Sequence, residues 1–299
     1  MKQVLILMST YNGALYLEEQ WESLFAQKDV KVKVLVRDDG SKDGTQEILK
    51  KYQQTHDLEW FQGRNLGWAR SFMELLYAAP DSEYYAFCDQ DDIWLQDKLS
   101  VAVNTLEKMD SDCRMYCSNL TNYKDGERLG NVKPEKYIYN KYKALMFCIN
   151  YGCTCVFNDA LRQKMTQNRP STVFAHDYWV YLSAIYLGDV HYDSNSYMLY
   201  RQHGSNAVGG SKSILQEWKI RLRRMKKLNE QHERETMAQE LLSCYSDSLS
   251  DSDKAIIKVV ADYRKNILTK MKLFFDMRYS LNITINNIML RLRILFGYI

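Results

Sequence analysis

Over its first 110 residues the chain alternates short apolar runs with helix-length stretches, and that alternation constrains the fold more than any other feature. Val4–Met8, Val32–Val36, Leu58–Phe61 and Tyr84–Cys88 are rich in Val, Ile, Leu and aromatic residues and read as strands. Leu15–Gln27, Gly44–Gln54 and Trp68–Ala79 lie between them, each long enough for a crossover helix. This β-α-β order predicts an α/β fold built on a mainly parallel sheet with right-handed connections. Such sheets bind ligands beyond the carboxyl ends of their strands, and a polar motif follows each of these strands.

The most acidic of those motifs is Asp89-Gln90-Asp91-Asp92, directly behind Tyr84–Cys88. Carboxylates at a strand end offer hard oxygen ligands, as a divalent cation requires if it is also to hold a diphosphate. Asp89 and Asp91 share a face if the chain stays extended there. The plain alternative is an acidic turn that closes a strand. Asp38-Asp39-Gly40-Ser41-Lys42-Asp43-Gly44-Thr45 follows the second strand. A carboxylate there can accept the ring N–H of uracil or thymine, and Asp43 can cap the helix near Thr45; an Asx-rich turn is the competing account. Asn65-Leu66-Gly67-Trp68-Ala69-Arg70 opens another helix, where Asn65 can face a nucleotide and Arg70 a phosphate, or simply start the helix.

Composition bounds the rest. At 299 residues with 46% hydrophobic residues, the chain suits one large domain, or one of about 200 residues with an extension. Seven cysteines at these spacings match neither a disulfide framework nor a zinc site and read as reduced packing residues. Met1–Met8 is too short for a secretory segment, and no run of 18 apolar residues predicts a membrane-spanning helix. Charge is uneven: 17 Lys/Arg and 10 Asp/Glu follow Ser211, a formal +7, against −4 before it. An internal boundary is therefore expected near Gly209-Gly210-Ser211.

Together, Ser9-Thr10-Tyr11-Asn12-Gly13, Asp38–Thr45, Asn65-x-Gly67-x-Ala69 and Asp89–Asp92 resemble the ordered motifs of glycosyltransferase family 2. The string Phe87-Cys88-Asp89-Gln90-Asp91-Asp92-Ile93-Trp94 is similar to bacterial rhamnosyltransferases that build cell-wall rhamnan or O-antigen chains. The match covers about residues 1–210. It implies a GT-A fold with a catalytic domain over 1–211, its nucleotide-sugar half over about 1–110 and its acceptor half over about 111–211. Residues 212–299 are then a helical, basic extension.

The resemblance also implies a site. Thr10, Tyr11, Asn12, Asp38, Asp39, Asn65, Gly67, Arg70, Asp89, Gln90 and Arg201 are expected on the nucleotide sugar. Asp89, Asp91 and His203 are expected on a Mn2+ or Mg2+ ion, His203 through an imidazole nitrogen. Trp94, Gly152, Cys153, Thr154, His176 and Trp179 are expected around the acceptor. Gly152–Asn158 reads as a strand, with core packing as the plain account of its cysteines. Asp177 sits at a helix start, where an Asp is usually a cap, but the family places its catalytic base at this position. An inverting transfer follows, with dTDP-L-rhamnose the favoured donor and a polyprenyl-diphosphate-linked glycan the acceptor. The alternatives are a UDP-hexose or UDP-N-acetylhexosamine donor, or a non-catalytic binding scaffold. A sugar nucleotidyltransferase is disfavoured because Tyr11-Asn12-Gly13-Ala14 lacks a basic triphosphate loop. No nucleic-acid partner is expected.

The extension carries apolar residues at helical spacing beside basic ones. Ile214, Trp218, Leu222 and Met225 form one stripe, and Ile256, Val260, Tyr263, Ile267, Met271 and Phe274 a second. Ile283–Ile299 is largely apolar, interrupted by Arg291 and Arg293. Such helices suit an anionic membrane surface, so a cytoplasmic enzyme peripherally attached to the inner face of the cell membrane is expected. The alternative is packing on the catalytic domain or on a second subunit, as in a homodimer.

Overall fold

The computed structural model describes residues 1–132, 139–202, 232–281 and 284–299. The chain divides into two compact units, the first made of Met1–Tyr137, Asn150–Arg169 and Ala175–Gln202. Its first half follows the predicted alternation: β1 (Lys2–Thr10), α1 (Ala14–Phe25), β2 (Val30–Asp38), α2 (Thr45–Gln53), β3 (Leu58–Gln62), α3 (Trp68–Ala78) and β4 (Tyr84–Cys88). All four strands are parallel, in the order β3-β2-β1-β4. Val4, Leu5, Ile6, Leu7 and Met8 are all buried, as a strand covered on both faces requires. In register, Thr10 lies opposite Asp38, Asp38 opposite Gln62, and Met8 opposite Cys88. The four polar motifs therefore emerge along one edge of the sheet.

Beyond β4 the sheet becomes mixed, running β4-β8-β6-β9-β5, with β7 paired to β6. These strands are β5 (Ile93–Trp94), β6 (Arg114–Lys124), β7 (Glu127–Asn131), β8 (Val156–Asn158) and β9 (Asp189–Arg201). β8 is antiparallel to β4 and β6, β9 parallel to β6, and β5 antiparallel to β9 with Trp94 opposite Met198. The last pairing returns Arg201 to the acidic loop that leaves β4. Helices α4 (Lys98–Leu106), α5 (Lys141–Ala144), α6 (Asp159–Gln167) and α7 (His176–Leu187) complete the order up to β9. None of the seven cysteines forms a disulfide.

The segment expected as a strand from Gly152 is one only from Val156. Gly152–Thr154 is a single 3-10 turn, closed by Thr154 N–H to Tyr151 O (2.9 Å) and Cys155 N–H to Gly152 O (3.0 Å).

The second unit comprises Ile138–Ile149, Pro170–Phe174 and His203–Ile299. Its helices span Glu233–Tyr245, Asp251–Ala261, Ile267–Phe275 and Thr284–Phe296. The stripe expected to run from Ile256 to Phe274 is broken between two of them. Asn266 starts a new helix by accepting from Thr269 N–H, so Ile256, Val260 and Tyr263 are buried while Ile267 is 65% exposed. Arg291 also departs from its expected place, since its guanidinium donates to Leu273 O (2.7 Å) and Asp276 O (3.1 Å), orphan carbonyls at a helix end. The stripe at Ile214–Met225 and the proposed boundary at 209–211 lie outside the described residues. No helix among the described residues is long and apolar enough to cross a membrane.

Candidate active site

The first two motifs interlock at the sheet edge. Asp38 is fully buried and accepts from Thr10 Oγ1 (3.1 Å), Ser41 N–H (3.1 Å), Ser41 Oγ and Gln46 Nε2 (2.8 Å). Asn12 joins the same loop, donating N–H to Ser41 Oγ (2.9 Å) and accepting from Lys42 N–H (2.8 Å). Asp43 accepts from Ala14 N–H (3.1 Å) and Thr45 N–H (3.0 Å). Burial pushes its carboxyl up, but these bonds and that of the Thr45 hydroxyl outweigh it and hold the group below the usual range.

Asp39 has a different task. It is buried, paired with Arg37, and accepts the N–H groups of Leu66 (2.8 Å) and Gly67 (2.9 Å). Arg37 extends the network to Ser71 Oγ and Arg64 O, both at 2.9 Å. The structure thus uses Asp39 to fix the Asn65–Gly67 loop and not as an open ligand contact. Asn65, Gly67 and Arg70 themselves are exposed.

The acidic loop is held from both sides. Gln90 closes on the backbone of Tyr11, while Arg201 donates Nε to Asp91 O (2.9 Å), N–H to Asp92 Oδ1 (3.2 Å) and Nη2 to Glu19 (2.5 Å). The Arg201 guanidinium, expected on a diphosphate, is therefore engaged in supporting the loop. Burial first, then the Asp91 and Asp177 charges, push the Asp89 carboxyl up to about 7. The same causes, burial and then Asp89 and Asp91, hold the buried Asp92 well above its usual range. Asp177 of α7 thus adds its charge to the field of the loop that follows β4.

Alpha-helix α7 explains why. Every residue from His176 to Tyr186 is buried except Asp177, so the first turn of a core helix presents one carboxylate. The helix is capped at Ala175 without any side-chain bond, and Asp177 is not its N-cap. Gly152 packs directly behind it: a Cβ there would lie 2.5 Å from His176 Nε2 and 3.6 Å from Asp177 Cβ. Asn150 Nδ2 donates to Asp177 O (3.3 Å).

The six residues expected around the acceptor, Trp94, Gly152, Cys153, Thr154, His176 and Trp179, are all buried. Trp94 lies in the core with Lys98 Nζ 4.1 Å over its ring. His176 is stacked on Phe72 at 4.0 Å, with Phe87 and Trp68 edge-on, and neither ring nitrogen has a hydrogen-bond partner. Of the six, Gly152 and His176 pack against each other beside Asp177; the sequence pattern could not separate such buried packing from an open pocket. Trp68, which no motif singled out as a contact, is 59% exposed beside His176. An aromatic at the start of a helix, one residue past a loop glycine, was the available signal.

The carboxylates fit a hard divalent cation. Among the described residues, Asp89, Asp92 and Cys153 bring ligand atoms within 4.8 Å of one another, and the buried Asp92 Oδ2 has no hydrogen-bond partner. Like charges crowded at low dielectric are relieved by a cation. His203, the expected third ligand, lies outside the described residues.

The sequence model for glycosyl transferase family 2 matches residues 5–169, which carry the first three motifs and the acidic loop. The chain belongs to glycosyltransferase family 2. A dTDP-rhamnosyl transferase of Shigella flexneri, RfbG, is 28% identical to this family member over 227 residues, covering 71% of this chain and 77% of the relative. An uncharacterised glycosyltransferase of Rickettsia typhi is 27% identical over 222 residues, covering 72% and 69%. Among solved structures, TarS of S. aureus in complex with UDP-GlcNAc superposes with a TM-score of 0.62 at 17% identity, covering 98% of this chain and 81% of that one. The mannosyltransferase PcManGT of Pyrobaculum calidifontis, in complex with GDP-Man and Mn2+, gives 0.52 at 20% identity over 99% and 80%. These likenesses confirm the GT-A fold expected of the family.

Proposed function

We propose that this glycosyltransferase moves a sugar from a nucleoside diphosphate donor onto an acceptor hydroxyl with inversion, and that Asp177 is the base. The observation that supports this reading is the Gly152–Thr154 turn, where Gly152 lies against Asp177 and the neighbouring Cys153 brings its ligand atom within 4.8 Å of those of Asp89 and Asp92, so that one turn joins a proton acceptor to the loop carboxylates. The exposed Tyr11 and Asn12 form the nucleotide end, with Thr10 and Asp38 buried behind them, and Asn65 with Gly67 its flank. Asp89 and Asp91, with Asp92 beside them, would hold Mn2+ or Mg2+. That ion, when bound, offsets the charge of the leaving diphosphate. The Asp177 carboxylate takes the hydroxyl proton as the acceptor oxygen bonds to the anomeric carbon, and the bond from that carbon to the diphosphate oxygen breaks. The exposed Trp68, edge-on to His176 at the start of the helix that carries Asp177, offers the acceptor sugar an apolar stacking face.

The donor we favour is dTDP-L-rhamnose, supported by the Asp89–Trp94 string and by the rhamnosyl relative from Shigella. A UDP-sugar is the second reading, supported by the superposition on TarS with its UDP-GlcNAc. A thermal-shift panel with Mn2+ separates them: stabilisation by dTDP-rhamnose above all UDP-sugars supports the first. Stabilisation by a UDP-sugar alone rejects it.

A polyprenyl-diphosphate-linked glycan is the proposed acceptor, reached from the inner face of the cell membrane through the basic extension. Flotation with anionic liposomes tests the attachment. The full chain should float and a chain ending at Ser211 should not; equal partitioning of both contradicts it.

A further inference from the structure

Gln90 stands among the loop carboxylates, yet its amide faces back onto the first loop. Oε1 accepts from Tyr11 N–H (2.8 Å) and Nε2 donates to Tyr11 O (3.1 Å), so both polar ends close on the backbone of one residue. Only an amide can do this, since Glu lacks the donor and Lys the acceptor. Gly13 completes the contact. Its φ of −103° and ψ of 6° are open to any residue, so the glycine is not required by backbone conformation. A Cβ at this position would instead lie 2.5 Å from Gln90 Cδ and 3.1 Å from Nε2. The missing side chain makes room for the amide.

The two loops leave paired strands, with Met8 opposite Cys88, and beyond that pairing each is anchored to a different neighbour. Asn12, next to Tyr11, is tied to the Asp38 loop through Ser41 and Lys42. Asp91, next to Gln90, is tied through its carbonyl to Arg201. We propose that Gln90 is a positioning residue: its latch on Tyr11 fixes the register between the base-binding loops and the carboxylates that meet the diphosphate. The consequence for donor binding rests on the nucleotide-sugar reading above, whereas the latch itself does not.

A double-mutant cycle of Gly13→Ala and Gln90→Ala tests both parts. In thermal denaturation, Gly13→Ala should lower Tm by roughly 3–8 °C in the parent chain, as overpacking does, and by little once Gln90 is Ala. Additive losses would overturn the latch. In calorimetric titrations with Mn2+, Gln90→Ala should weaken dTDP binding about tenfold, the size of two neutral hydrogen bonds, and leave dTMP binding unchanged. Equal losses for both nucleotides, or none, would overturn the register claim. If the parent chain binds neither nucleotide, the nucleotide-sugar reading fails and the register claim with it, while the thermal cycle still decides the latch.

Discussion

His176 lies face to face with Phe72, ring centroids 4.0 Å apart and planes at 23°, with Phe87 edge-on at 4.8 Å. Burial pulls its acid constant from 6.5 to about 3, so the folded protein holds it neutral. The unfolded chain takes up a proton below pH 6.5 that the folded one refuses down to about 3. Stability is therefore retained above pH 6.5 and lost as the pH falls through this window. His176→Phe, which keeps the aromatic packing, should reduce the stability lost between pH 7 and pH 5 by about 2 kcal/mol. Urea titrations at the two pH values measure it, and an unchanged difference would contradict the assignment.

Asp39 and Asp38 are neighbours with separable roles. Asp39→Ala leaves Arg37 as a buried, unpaired cation and frees two loop N–H groups, at a cost of about 3–5 kcal/mol. Arg37→Met combined with Asp39→Leu should recover part of that loss, because both charges leave together. Thermal denaturation of the three proteins gives the comparison.

Arg201 should not tolerate lysine. Its Nε reaches the Asp91 carbonyl while Nη2 reaches Glu19, a two-ended geometry that one ammonium cannot reproduce. Arg201→Lys and Arg201→Ala should both lower kcat/KM at limiting Mn2+, by about tenfold. A lysine variant with parental kinetics would show that charge alone is sufficient.

Trp68 is proposed to stack on the acceptor. Being 59% exposed, it can be removed at little cost in folding, so Trp68→Ala should raise the acceptor KM severalfold while Tm and donor binding stay near parental values. A large fall in Tm would instead assign it to packing.

Much of this architecture is legible in the sequence, for a local reason. Residues 1–110 carry strand and crossover patterns whose observed ends fall within two residues of the expected ones, and Tyr84–Cys88 coincides. Long-range pairing left no such trace. The two-residue strand Ile93–Trp94 exists only because β9 lies beside it. The roles of Gln90, Arg201 and Asp39 likewise depend on what the fold brings to them, since each reads from sequence as a ligand contact and each grips backbone. Burial at the expected acceptor positions was equally illegible, since Gly152 and His176 sit beside Asp177 yet are buried. The break at Asn266 had a readable signal, an Asn three residues before Thr269.

The central claim is that Asp177 is the base of a metal-assisted sugar transfer. Its most direct test is nucleoside diphosphate release by Asp177→Asn with donor, acceptor and Mn2+, alongside calorimetric donor binding. Donor affinity should stay within about twofold of the parent while transfer falls by about 10²–10⁴-fold, the contribution of a positioned general base. Turnover near the parental rate with donor binding intact would contradict the account.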